Sequence, residues 1–303
     1  MDSAVGATLH DAIYGQAVGD ALGVPFEFRA RGSFRCTGMT GFGTHDQLPG
    51  TWSDDTSMAL AICDSIRRTG AIDCDDIRMR FVRWYRDGDY TVGGTFDVGN
   101  TTRVALAQGH GQGGPRDNGN GSLMRTVPLA FTDAGDDEIR AVSAITHAHR
   151  IACDACVRYV HIARLLAAGM DPTEAVARAI DGESDDHRDS RPPHAPSPGE
   201  TEVGRLLGLN SDDDIRSGGF VLDTMQAALW CLLTTDTYAN CMLRAVNLGD
   251  DSDTTAAVAG ALAGIVYGYD AIPASWIDAL RGKDVIDSVL FQGRPRAMPA
   301  MGV

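Results

Sequence analysis

GDDSDTTAAVAGALAGIVYG, residues 249–268, is the stretch on which the reading of this chain turns. From Thr254 onward it is apolar with helical periodicity and carries no Asp, Glu, Lys or Arg. Gly260, Gly264 and Gly268 recur at every fourth residue, so one face of the helix is small and a neighbouring helix can approach closely. That predicts a central helix whose N-terminus is partly buried. Asp250, Asp251 and Asp253 crowd that end, and three carboxylates there repel one another. The helix dipole offsets only about 0.3–1 kcal/mol per charge, whereas an unpaired buried charge costs several kcal/mol. No Lys or Arg lies nearby in sequence, so something else positive is expected at this point.

The donor types say what that is. Carboxylates and hydroxyls without Cys or His suit Mg²⁺, Mn²⁺ or Ca²⁺ rather than zinc. Asp251, Asp253 and Thr254 form one such set, and Ser53, Asp54 and Asp55, directly before another apolar helix, form a matching one. A single Ser or Asp there would be an ordinary helix cap; adjacent carboxylates flanked by hydroxyls exceed what a cap needs. Two sets predict two metal ions about 4 Å apart, bridged by a shared carboxylate and a water.

Outward from these clusters the periodicity stays helical, over 9–22, 56–66, 77–85, 151–168, 172–180, 220–233, 238–248 and 254–267. No comparable set of alternating β-branched segments lies between turn signals, so the class is all-α, with room for a few short strands around 34–42. The stretch 182–200 is rich in Pro, Ser, Asp and His and predicts a mobile surface loop within a single domain spanning 1–303, because the motifs on its two sides need each other.

The chain has 303 residues, 44% of them hydrophobic, enough to bury a sizeable core, and a formal charge of −15. Such a charge repels a polyanion at long range, which argues against nucleic acid as a partner. Seven cysteines are scattered without zinc-site spacing; Cys153 and Cys156, one helical turn apart, are expected to be a buried pair of reduced thiols. There is neither a signal-peptide pattern nor an apolar run of membrane-spanning length, and the expectation is a cytoplasmic protein without a membrane partner.

Other segments carry chemistry of their own. Glu27 stands between Phe26 and Phe28 after Pro25, where burial would raise its pKa and suit it to acid or base work. The Gly-rich run Asn118 to Arg125 can offer backbone N–H groups to a diphosphate. The run from Phe96 to Thr101 opens a helix with Asp97 as its only acid, and Thr146-His147-Ala148-His149 lies between two helices.

Together GDALGVPFEF, WSDDTSMAL, FDVGNTTR, NGNGSLMR, ITHAH, GGFVLDTMQAALW and GDDSDTTAAVAGALAG, in this order, resemble the ADP-ribosylglycohydrolase family, including its dinitrogenase reductase-activating branch. The resemblance implies a single orthogonal bundle of α-helices around a dinuclear Mg²⁺ or Mn²⁺ site. It implies Ser53, Asp54, Asp55, Asp251, Asp253 and Thr254 as metal ligands, Glu27 as a gating or general-base carboxylate, and Asp97 as a catalytic acid position. Gly119, Asn120, Gly121, Ser122 and His147 would line the diphosphate and distal ribose, with Gly99 and Asn100 of the FDVGNT block also at the substrate and Phe220 against adenine. Ser53 stands where Thr is frequent, and Asp250 where glycine is usual, which leaves Asp250 and Asp251 competing as ligand; the Asp-x-Asp-Thr spacing favours Asp251. The implied reaction is removal of ADP-ribose from a modified protein, with arginine linkage favoured by the FDVGNT block. Alternatives are another ADP-ribosyl linkage, a free ADP-ribosyl metabolite, or a non-catalytic ADP-ribose binder.

Overall fold

A computed structural model describes residues 7–181, 202–208 and 212–293; the loop expected at 182–200 lies outside them. The α-helices are α1 (Leu9–Gly23), α2 (Asp54–Thr69), α3 (Cys74–Asp87), α4 (Asn100–Gln108), α5 (Asp136–Ala144), α6 (Arg150–Ala167) and α7 (Pro172–Asp181). They continue with α8 (Glu202–Leu207), α9 (Val221–Leu233), α10 (Tyr238–Asn247), α11 (Ser252–Tyr267), α12 (Ala274–Ala279) and α13 (Lys283–Val289). Among the described residues there is no strand, only isolated bridges such as Phe42 with Gln47. The strands allowed around 34–42 do not form, because that segment finds no second extended segment to pair against beyond the single bridge of Phe42 with Gln47.

Local chemistry sets the helix ends. Thr8 and Asp11 form a capping box on α1, and Asp73 accepts from the N–H groups of Asp75 and Asp76 to start α3. Helix α2 is capped twice. The Ser53 side chain accepts from Asp55 N, and Asp20 from α1 accepts from Ser53 N at 2.9 Å and Thr56 N at 3.0 Å.

The expectation drawn from the glycines of 249–268 holds. Helix α11 is buried along nearly its whole length and packs antiparallel on α1, small residue against small residue. A Cβ on Gly15 would lie 2.3 Å from the carbonyl oxygen of Gly260, one on Gly19 2.2 Å from that of Ala256, and one on Gly23 2.3 Å from Cα of Asp253. The two backbones therefore touch, which only hydrogen in place of a side chain permits. Antiparallel contact has a positional consequence: the C-terminal end of α1, with Asp20, meets the N-terminal end of α11, with Asp253. Tyr238 and Tyr159 hold the pair from outside, donating to Gly15 O at 2.6 Å and Val258 O at 2.9 Å. Around it Trp52, Met58, Phe81, Trp84 and Phe131 are fully buried, each large apolar side chain contributing roughly 1.5–3 kcal/mol.

Candidate metal centre

Where α1 ends, α2 and α11 begin, and their acids converge. Asp20, Asp55 and Asp253, all with no exposed surface, bring carboxylate oxygens within 4.8 Å of one another. A second group, Glu27, His45, Asp97 and Asp253, meets the same limit, so Asp253 is common to both. The sets around Ser53 and Thr254 also touch: Asp55 Oδ2 accepts from Ser53 Oγ at 2.9 Å and from Thr254 Oγ1 at 3.3 Å. Asp54 and Asp251 stand outside the two tight groups, but Asp54 is buried against them, and the Asp251 carboxylate is turned toward them, accepting from Asn120 Nδ2 at 2.8 Å.

The electrostatics follow from burial. Desolvation, reinforced by neighbouring carboxylates, holds Asp54, Asp55 and Asp253 well above the usual carboxylate range. Burial also lifts Asp251, against hydrogen bonds from Asn120 and Thr254. Asp20 rises only to about 6, because hydrogen bonds from Ser53 and Thr56 oppose its burial. Glu27 is pushed up to about 8, first by burial, with the hydrogen bond from His45 opposing and Asp97 and Asp251 adding to the rise. His45 is raised in turn by that bond. Asp55 Oδ1, Asp251 Oδ1 and Asp253 Oδ2 are buried with no hydrogen-bond partner. Unpaired anionic oxygens in a desolvated site are what a hard divalent cation repays, so the donor set fits such ions.

The expected substrate residues are placed unevenly. Gly119 pairs by an isolated bridge with Phe220, and Asn120 N donates to Gly219 O at 3.0 Å, so the Gly-rich run and the start of α9 form one wall beside Asp251. Phe220 is half-buried in that wall. His147 is buried behind it, close under Gly121, with Nδ1 at 2.8 Å from Thr146 Oγ1; burial drops its pKa to about 3, so the ring is neutral. Ser122 departs from the expectation that its side chain lines the ligand. It is fully buried in the core, paired with Ser143 Oγ at 2.9 Å and Cys156 Sγ at 3.4 Å. The run leads into short 3₁₀ turns at Leu123–Arg125 and Val127–Phe131 rather than an α-helix, since Pro128 cannot continue one. Gly99 and Asn100 are exposed at the start of α4, where Asn100 Oδ1 accepts from Arg103.

Asp250 is exposed with φ of 54°, while Asp251 faces the site. A left-handed backbone explains why glycine suits position 250 and why an aspartate is still tolerated. Four neighbours were not singled out from sequence. Asp20 lay in a quoted motif, and its one usable signal was a charge on the small, apolar face of α1. His45 closes on Glu27 across a loop that local spacing does not reveal. Gln16 Nε2 donates to Asp55 O and Met124 O, and buried Arg125 donates to Gly121 O at 2.8 Å, tying the Gly-rich run to the acids. His45 lies within one of the two groups, an imidazole beside the carboxylates that the sequence argument did not place there. Both Cys153 and Cys156 are buried free thiols.

A family model described as ADP-ribosylglycohydrolase matches residues 2–298. The chain is 36% identical to an ADP-ribosylarginine hydrolase, Tri1, of Pseudomonas putida, over 98% of this chain and 80% of that protein. It is 32% identical to the ADP-ribosyl-[dinitrogen reductase] glycohydrolase of Rhodospirillum rubrum, over 91% and 92%. A solved structure titled as an ADP-ribosylglycohydrolase-related protein complex superposes with a TM-score of 0.75 at 30% identity, covering 92% of this chain and 94% of that one.

Proposed function

This chain belongs to the ADP-ribosylglycohydrolase family of hydrolases, and we propose that it removes ADP-ribose from arginine side chains of modified proteins with the help of two Mg²⁺ or Mn²⁺ ions. The observation that carries the reading is the buried carboxylate set, with three oxygens left unpaired, set between a Gly-rich wall and a raised-pKa glutamate. Arginine as the linked residue follows the names of the hydrolases at 34% and 36% identity.

In this reading Ser53, Asp54, Asp55, Asp251, Asp253 and Thr254 hold the cations, and Asp20 orients the first turn of α2 through Ser53 and Thr56. Such cations, when bound, supply the positive charge that polarises ribose hydroxyls and lowers the pKa of water. The backbone of Gly119, Asn120, Gly121 and Ser122 holds the diphosphate and distal ribose over the neutral ring of His147, and Phe220 lies against adenine. Gly99 and Asn100 border the substrate from the start of α4.

Water adds to the anomeric carbon as the bond to the guanidine nitrogen breaks; one proton leaves the water and one reaches the departing nitrogen. Glu27, which burial lifts above the usual carboxylate range and His45 orients, carries that proton traffic. Asp97 is the second candidate for it. The surrounding carboxylates favour positive charge developing on the ribose, as in other glycoside hydrolysis. The test is release of ADP-ribose from arginine-, serine- and aspartate/glutamate-linked proteins, with Mg²⁺ or Mn²⁺ and with EDTA. Release from none of them, or undiminished release in EDTA, refutes the proposal.

A further inference from the structure

Among the described residues, Phe28, Phe42, Leu48, Met79 and Tyr85 are the large apolar side chains left exposed; Phe28 directly follows Glu27, and Phe42 and Leu48 flank the turn that carries His45. Phe28 is 70% exposed, Phe42 53% and Leu48 51%. These segments are joined as one rim. Thr44 Oγ1 donates to Glu27 O at 2.6 Å, the turn closes by pairing Phe42 with Gln47, and the Phe28 ring lies 6.0 Å from the ring of His45. His45 in turn bonds Glu27, so the rim is continuous with the reaction centre.

Its backbone makes the exposure more telling. Phe28 has φ of 62°, and Phe42 has φ of 64° with ψ of −123°, a conformation that glycine adopts freely and phenylalanine does not. An exposed phenyl gains nothing from burial, so neither local preference nor the core accounts for Phe at these two positions. Charge adds a second observation. From 28 to 48 the chain carries Arg29, Arg31 and Arg35 against Asp46 alone, a net of +2 in a chain of −15. Arg31 is turned inward to the carbonyls of Leu248 and Ile215, while Arg29 and Arg35 stay at the exposed edge, bordered by Asp250.

We infer that the Phe28–Phe42–Leu48 rim is the docking surface for the polypeptide that carries the ADP-ribosyl group, taking apolar and acidic residues that flank the modified side chain. The inference rests on the proposed function: with the nucleotide on the Gly119–Phe220 wall, the Glu27 side is the one left for the departing protein. Side chains exposed singly need no partner, but three on one rim at a reaction centre do, and aromatic anchors are what protein contacts use.

The test compares two substrates of the intact protein with Mg²⁺: free ADP-ribosyl-arginine, and a peptide in which the modified arginine is flanked by Leu and Asp. Wild type is expected to prefer the peptide by about tenfold or more in kcat/KM, mostly through KM. Phe42→Gly with Leu48→Ser should abolish that preference while leaving ADP-ribosyl-arginine turnover at the wild-type level. Because Gly suits the positive φ at 42, the variant should melt no lower than wild type, so a folding defect is separable. A retained preference, or an equal loss on both substrates, overturns the inference. So does a wild-type dimer in sedimentation that the variant breaks, since the rim would then be covered by a second copy. If wild type hydrolyses neither substrate, the proposed function itself falls and the docking surface with it.

Discussion

Thr254 donates its hydroxyl to Asp55 Oδ2 at 3.3 Å, joining two helix starts that lie 199 residues apart in the chain. The same oxygen accepts from Ser53, so the two acidic motifs form one cage rather than two separate caps. What lies inside that cage is open to measurement.

Elemental analysis after dialysis against Mn²⁺ or Mg²⁺ should find about two ions per chain. The oxygen-rich donor set predicts that zinc does not displace them stoichiometrically, although His45 adds one nitrogen at the edge. One tightly held zinc per chain would contradict the reading.

Asp253→Asn should act oppositely on the two states of the protein. Asp253 belongs to both acidic groups and is fully buried, so the loss of its charge should sharply weaken cation binding and activity. In EDTA the same substitution removes a repelling carboxylate and should raise the melting temperature. For wild type, EDTA should lower the melting temperature and cations restore it, each bound ion adding about 2.7 kcal/mol of stability at a hundredfold excess over Kd. Calorimetry of both proteins with and without EDTA decides the matter.

The metal-free protein should lose stability as pH rises. Burial lifts Asp20 to about 6 and Glu27 to about 8, and the Glu27 bond raises His45, so the folded state holds more protons than the unfolded chain. Stability from such groups is complete below their unfolded pKa values and is lost as pH climbs through the folded ones. Above the range where His147, held neutral by burial, acts in the opposite sense, melting temperatures in EDTA should therefore fall between about pH 7 and pH 8.5, and bound cations should flatten the profile. A rising profile would mean the acids are ionised and stabilised some other way.

Glu27→Gln should separate proton transfer from metal binding. The carboxylate is held by His45 at the edge of the cage, so cation content should stay near normal while the rate drops by roughly 10²–10⁴-fold. Asp97→Asn in the same assay is the control. Normal turnover in Glu27→Gln with a loss in Asp97→Asn would transfer the role to Asp97.

Gly260→Ala should destabilise the fold although alanine is the better helix former. Its Cβ would sit 2.4 Å from the carbonyl oxygen of Gly15, a backbone atom that cannot swing away. Overpacking of this kind costs about 1–3 kcal/mol or more, and because α1 and α11 carry Asp20 and Asp253, cation affinity should fall with it. Chemical denaturation alongside cation titration measures both.

By itself the sequence determined the helices of ten residues or more and the gathering of acids at two helix starts. Apolar side chains repeating at helical spacing need only local geometry, so the expected spans of α1, α2, α6 and α10 differ from the observed ends by a few residues. The glycine ladder 260–264–268 announced a close helix contact, and adjacent Asp, Ser and Thr at two helix starts announced an oxygen-rich cluster. Tertiary structure alone decided the rest. That α1 is the helix against α11 depends on two backbones meeting at Gly15 and Gly260, a match of shape between distant segments. Asp20 looks like any helix-end acid until antiparallel packing sets it against Asp253, and His45 is an ordinary loop residue until its turn folds over Pro25 onto Glu27. Ser122 reads as part of a ligand loop, yet the loop's path turns its hydroxyl into the core. Side-chain direction in irregular segments is set by what the segment packs against, and no local periodicity encodes it.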